Sequence, residues 1–234
     1  MTETALNPEL KRKLWSRTAI YLVVVAVLLF GAAGTVRWPA AWVYLALSAV
    51  MSIAGGLWLA RHDPALLEER LGAVIQRDQK GWDRAFMLAM SVLWFGWLVL
   101  MALDARRYHW SDMPLALQVL GFILICLGSW IIGLTFRENS YAAPVVKIQK
   151  DRAHKVIRTG PYSYVRHPMY AGALLLIPGV PLLLGSWWGL AASLVFIVLL
   201  AGRAVLEERT LKAELDGYAA YAARVRYRLL PHVW

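Results

Sequence analysis

Four stretches of uncharged sequence limit what this chain can fold into. Residues 18–36, 39–60 and 114–136 contain no Asp, Glu, Lys, Arg or His, and 84–103 contains only Arg84. A helix needs about 20 mostly apolar residues to cross a bilayer. Inside lipid every backbone polar group must find a partner within the protein. Each stretch therefore reads as a spanning helix. A further apolar block, 168–206, is too long for one ordinary span and is interrupted by Pro178-Gly179-Val180-Pro181 and then Gly185-Ser186. Proline breaks or kinks a helix and glycine permits a tight reversal. The block reads as a hairpin of two helices, 168–184 and 187–206. The expected fold class is all-α: a polytopic membrane bundle of four spans, a helical hairpin and a C-terminal helix.

Composition supports this. The chain is 59% hydrophobic and 17% charged, where a soluble domain carries about 45–50% and about 25%. That excludes a water-soluble globule, a disordered chain and a disulfide scaffold. Twelve Trp and ten Tyr suit anchoring at membrane interfaces. The single cysteine, Cys126, excludes an internal disulfide and reads as a small buried or lipid-facing residue. Lys11, Arg12, Lys13 and Arg17 precede the first apolar run, with Ala32-Ala33-Gly34 near its end. This mimics a secretory signal, but the run exceeds the about 7–15 residues of a signal core. It reads as a retained first span.

The net charge of +10 is distributed unevenly. With the N-terminus in the cytoplasm, 22 of the 25 Lys and Arg fall in the four inside segments 1–17, 61–84, 137–167 and 203–234. Only Arg37, Arg106 and Arg107 fall outside. The positive-inside rule then places both termini in the cytoplasm. Short loops fit a bacterial inner membrane. Much of the basic excess is explained by topology and anionic lipid; the ordered motifs within those segments are not.

Segment 61–84 reads as an amphipathic interfacial helix, with Leu66, Leu67, Leu71 and Val74 on one stripe and Asp63-Pro64 as its start. Segment 137–170 is the most informative. It carries Gly160-Pro161-Tyr162 and then Arg166-His167-Pro168-Met169-Tyr170, with Gly172 following. Pro168 suits a first helical turn, and His167 sits beside free backbone N–H groups that favour carboxylates and phosphates. A plain juxtamembrane anchor with snorkelling Arg and Tyr is the alternative. In 203–234, Arg203 and Glu207 are four apart and share a helix face, while Glu208 points about 100° away. Tyr218 and Tyr221 are expected at the interface. Arg224, Arg226 and Arg228 are expected to contact headgroups.

The order His154, Gly160-Pro161-Tyr162, Arg166-His167-Pro168-Met169-Tyr170, a hairpin, then Arg203-x-x-x-Glu207-Glu208, Tyr218 and Tyr221 resembles the isoprenylcysteine carboxyl methyltransferase family and its phospholipid and thiol methyltransferase relatives. The resemblance spans 147–234. It implies S-adenosylmethionine (SAM) as methyl donor, held at the cytoplasmic face by Lys147, His154, Lys155, Val156, Ile157, Tyr162, His167, Pro168, Met169, Tyr170, Glu207 and Glu208. Arg203 and Glu207 are the expected catalytic pair. Arg203, Asn139, Tyr141 and Arg166 are expected to face the acceptor. Family members often carry Gln where Lys147 stands here, with Gln149 nearby. The domain reading is one integrated unit, with N-terminal helices over 1–136 and a cofactor-binding catalytic half over 137–234.

Methyl transfer from a sulfonium is an in-line displacement, in which positioning and electrostatics do most of the work. A carboxylate such as Glu207 suits a cationic donor. A cationic Arg203 suits a carboxylate, thiolate or phosphate on the acceptor. His167 either binds the donor or acts as a base. The partners expected are membrane lipids and a lipophilic acceptor, with no metal and no nucleic acid. Two rivals stand against this reading. An NADPH-dependent sterol-type reductase uses a similar Arg-His-Pro motif, but with Asn where Met169 stands. A scaffold or transporter would carry more charge within the spans.

Overall fold

The computed structural model describes residues 7–234. Among the described residues eight α-helices run in the order α1 Pro8–Ala33, α2 Pro39–His62, α3 Pro64–Arg70, α4 Gly81–Ala102, α5 Leu115–Glu138, α6 Pro168–Leu184, α7 Trp187–Glu214 and α8 Tyr218–Arg224. No strand occurs among the described residues. Helices α1, α2, α5, α7 and the stretch Gly81–Arg107 are long and apolar enough to cross a membrane. The protein is an integral-membrane helical bundle.

The helix starts follow from local chemistry. Pro8, Pro39, Pro64 and Pro168 each occupy a first turn, where the missing N–H is no loss. Asn7, Asp63 and Ser186 cap α1, α3 and α7 through their side chains. Gly185, at φ +83°, closes α6 and turns the chain into α7. The hairpin expected at 168–184 is α6, but its second arm runs past 206 to Glu214. Arg203, Glu207 and Glu208 therefore stand on one continuous helix. Pro178 and Pro181 sit inside α6 without ending it. Pro181 deprives the Ile177 carbonyl of its helical donor, and the Ser193 hydroxyl of α7 reaches that oxygen at 3.3 Å, sharing its proton with the Gly189 carbonyl at 3.2 Å. Such rescue by a neighbouring helix is how proline is tolerated in lipid.

Helices α5 and α6 pack backbone to backbone. A Cβ on Gly128 would lie 2.5 Å from the Gly172 carbonyl oxygen, and one on Gly172 would lie 2.7 Å from that of Gly128. Small residues drive such contacts in membranes, where the hydrophobic effect no longer distinguishes helix from lipid. This seam fixes the start of α6 against the end of α5.

The segment expected as an interfacial helix over 61–84 is helical only over Pro64–Arg70. Leu66 and Leu67 are buried with Leu10, Leu14, Leu59 and Ala60, so α3 plugs the ends of α1 and α2. A helix of two turns is too short to bind an interface by itself, and Gly72 and the following turn end it.

Candidate functional site

The site is built at the start of α6. Backbone N–H groups of Arg166 and His167 donate to the carbonyls of Tyr227 and Arg228 at 3.0 and 2.9 Å. The Arg166 guanidinium donates to Glu208 at 2.5 Å and to the carbonyls of Val225 and Arg226 at 2.6 and 2.7 Å. Glu208 is 2% exposed. It also meets Arg228 at 3.1 Å, Lys212 at 3.9 Å and His167 Nε2 at 3.4 Å. The last contact is an electrostatic approach and not a formed hydrogen bond, so His167 Nε2 remains without a hydrogen-bond partner among the described residues.

One helical step away, Glu207 faces a cavity. Its carboxylate accepts from Tyr170 Oη at 2.5 Å. Among the described residues it enters no ion pair. The cavity holds about 90 Å³, and its lining falls entirely between Asn139 and Tyr221. Of the residues expected from sequence, Asn139, Tyr141, Lys147, His154, Lys155, Val156, Ile157, Tyr162, Arg166, His167, Met169, Tyr170 and Glu207 line it. Pro168, Arg203 and Glu208 do not. Pro168 is buried behind the wall. Glu208 is enclosed by its cations. The Arg203 side chain does not meet Glu207, the partner expected from their four-residue spacing. It turns to Asp83 of α4, at 3.0 Å, and to the Pro144 carbonyl at 2.8 Å.

Sequence reasoning missed several participants. Tyr218 and Tyr221 line the cavity rather than an interface. Tyr221 Oη donates to the Tyr162 carbonyl at 2.8 Å. Tyr218 is 4% exposed, and its hydroxyl has no partner among the described residues. Arg228 serves Glu208 rather than a headgroup. Lys147 is pinned by Glu69 of α3 at 2.6 Å. Only the Tyr218-x-x-Tyr221 spacing carried a signal, since it places both rings on one helix face.

Burial dominates the titration of the cavity wall. It raises the Tyr162 and Tyr218 hydroxyls, and nearby Glu208 and Glu207 raise Tyr218 further. Both remain neutral donors. Burial, aided by Arg152, pushes His154 down to about 4, against the opposing pull of Glu207. His154 is therefore neutral at pH 7. It stacks on Tyr141 at 4.4 Å between centroids, and its Nδ1 accepts from the Gln149 N–H at 3.4 Å, which leaves the ring proton on Nε2.

Between α3, α5 and α6 lies Arg70. Its guanidinium donates to the Ala142 carbonyl at 2.8 Å, sits 4.1 Å over the Phe136 ring and touches Met169 Sδ at 3.9 Å. Burial lowers it to about 10, so it stays charged at neutral pH. It enters no ion pair among the described residues. On its far side a largely apolar groove of about 430 Å³ runs between α1, α2 and α5, past Thr18, Gly55 and Gly133.

Residues 116–215 match the phospholipid methyltransferase family. Three curated relatives are similar to the chain in sequence. Protein-S-isoprenylcysteine O-methyltransferase of Saccharomyces cerevisiae is 30% identical over 82 residues, covering 35% of this chain and 34% of the relative. The Schizosaccharomyces pombe protein of the same name is 25% identical over 179 residues, covering 68% and 76%. Protein-S-isoprenylcysteine O-methyltransferase B of Arabidopsis thaliana is 30% identical over 123 residues, covering 51% and 59%. The chain thus spans less than two thirds of two of these three relatives.

Proposed function

We propose that this chain, a relative of the isoprenylcysteine carboxyl methyltransferases, is an integral-membrane enzyme that methylates a lipophilic acceptor with SAM at the cytoplasmic face of the membrane. The half 137–234 carries the donor site, and both termini face the cytoplasm. The observation that carries this reading is Glu207, a carboxylate without an ion-pair partner on the wall of a cavity lined by tyrosines and a neutral histidine. Of the other charged side chains on the wall, Lys147 and Arg166 are paired with Glu69 and Glu208 and Lys155 is exposed, so the unpaired Glu207 favours a cationic ligand.

The residues fit the donor chemically. Glu207 suits its positive charge, the free Tyr218 hydroxyl and His154 Nε2–H are donors, and the rings of Tyr162 and Tyr141 are surfaces for a base. Bound SAM supplies an electrophilic methyl whose bond to sulfur breaks as a bond to the acceptor forms. The rest is orientation and exclusion of water. His167 faces Glu208 with its free nitrogen, which supports fixing the site over acting as a base. Glu208 shapes the donor site through Arg166 and His167. The cavity volume is below the about 300–1,000 Å³ of sites enclosing a drug-sized ligand. Donor entry therefore requires the cavity to widen.

For the acceptor, Arg166 and Arg203 are already neutralised by Glu208 and Asp83. Arg70, enclosed and without an ion pair, is placed to meet a carboxylate, thiolate or phosphate, with Asn139 and Tyr141 nearby and the apolar groove, which Arg17 also lines, behind it for a lipid tail. The relatives act, by name, on S-isoprenylcysteine; the class proposed here is any lipophilic acceptor of that chemistry.

Thermal unfolding of the purified protein with SAM, S-adenosylhomocysteine or NADPH tests the reading. Stabilisation by the first two and none by NADPH is expected. The reverse pattern would overturn it. Transfer of labelled methyl from SAM to prenylcysteine, long-chain thiol and phospholipid probes then identifies the acceptor.

A further inference from the structure

A buried ion pair outside the cavity holds one of its walls. Asp83, in the first turn of α4, is fully buried. One of its oxygens accepts from Arg203 Nε at 3.0 Å and lies 3.0 Å from Nη2. The other accepts from Gln79 Nε2 at 2.9 Å and from the Val146 N–H at 2.8 Å. Arg203 Nη2 continues to the Pro144 carbonyl, and the Lys80 N–H donates to the Val146 carbonyl at 3.1 Å. Val145, Val146 and Lys147 line the cavity. This wall therefore hangs on a carboxylate that precedes it by 63 residues and lies outside the family match.

Stability alone does not account for the pair. Taking two charges out of water is costly, and well-packed apolar residues often do as well or better. An apolar pair could not hold an N–H and a carbonyl of the wall at fixed positions. We infer that Asp83 is a positioning residue for the reaction: acting through Arg203, it sets the 144–147 wall and thereby the affinity of the cavity for the methyl donor. The inference rests on the methyltransferase reading above.

The test uses the whole protein in nanodiscs, comparing wild type with Asp83→Asn and Arg203→Lys. Two quantities are read: amide exchange over 142–149 and the Kd for S-adenosylhomocysteine, both well below the melting temperature. Asp83→Asn is expected to speed exchange over 142–149 and to weaken binding on the order of tenfold to a hundredfold, the range expected when a positioning contact is lost. Arg203→Lys keeps a cation for Asp83 but loses the guanidinium's second contact, so it should shift both readouts in the same direction by less. A lowered Tm with unchanged Kd would mark a purely structural pair and overturn the inference. Unchanged exchange over 142–149 would overturn it too. If Asp83→Asn does not fold, Arg203→Lys is judged by the same two criteria. Wild-type protein that fails to bind S-adenosylhomocysteine overturns the methyltransferase reading itself, a failure visible without any variant.

Discussion

Two buried arginine–carboxylate knots flank Glu207 on α7, and they are built differently. The Arg166–Glu208 knot draws on 166–228 alone and gathers three cationic side chains and the His167 ring around one carboxylate. The Arg203–Asp83 knot joins residues 120 apart in sequence and spends its remaining bonds on backbone groups of the cavity wall. The first holds the motif together internally. The second fastens the motif-bearing half to the helices before it. Glu207 stands between them and is committed to neither.

Glu208→Ala attacks the local knot and should have the largest effect. It strands the Arg166 guanidinium, 7% exposed, without a counter-charge, a change that costs about 3–5 kcal/mol. Thermal unfolding in detergent should show a drop of many degrees, and Glu208→Gln should recover part of it. Arg203→Met strands Asp83 in turn and should cost somewhat less, because Gln79 and the Val146 N–H still serve the carboxylate. A cost equal to that of Glu208→Ala would erase the distinction between the knots.

Glu207→Gln should leave Tm nearly unchanged, since it breaks no ion pair, yet weaken SAM binding by roughly tenfold to a hundredfold, the value of a hydrogen bond to a charged group of about 1.5–3 kcal/mol. Binding that survives would remove Glu207 from the donor site. A smaller effect is expected from pH. His154 is held near 4 in the folded protein against about 6.5 in an unfolded chain. The unfolded state thus binds the extra proton between those values, and stability should be full above about 6.5 and fall as pH drops toward 4. His154→Gln should flatten that slope in unfolding curves taken from pH 4 to 7. Least of all should matter the partly exposed Lys80–Glu214 pair, 2.7 Å apart. Lys80→Met is expected to change stability by less than about 1 kcal/mol.

The spans were legible because lipid forbids charge, and absence of charge is visible residue by residue. The hairpin was legible from Pro178, Pro181 and Gly185. Its second arm ran longer than expected because α7 continues past its apolar part, where Glu207 meets Tyr170, Glu208 meets Arg166 and Leu211 packs with Tyr218 and Tyr221. Asp83 was not legible: beside Arg84, in a segment rich in both signs, it looks like any loop acid, and nothing periodic links it to a residue 120 positions later. Arg70 was hidden for the same reason among Glu68, Glu69 and Lys80. Arg203 was placed by helical spacing toward Glu207, but spacing gives only the face of a helix. A long side chain on that face goes to whichever partner is better buried, here Asp83.

The unequal arms of the hairpin have a consequence for where chemistry happens. Helix α6 has 17 residues and α7 has 28, so at about 1.5 Å per residue they extend roughly 25 and 42 Å from their shared turn. The shorter arm falls short of the about 30 Å hydrocarbon core. With the shared turn at one face of that core, His167 at the start of α6 would lie inside the opposite boundary, while Leu211 and Leu215 of the same cavity wall would lie beyond it. On that placement the cavity spans the boundary between lipid and water, where a soluble molecule and a membrane-dissolved one can meet.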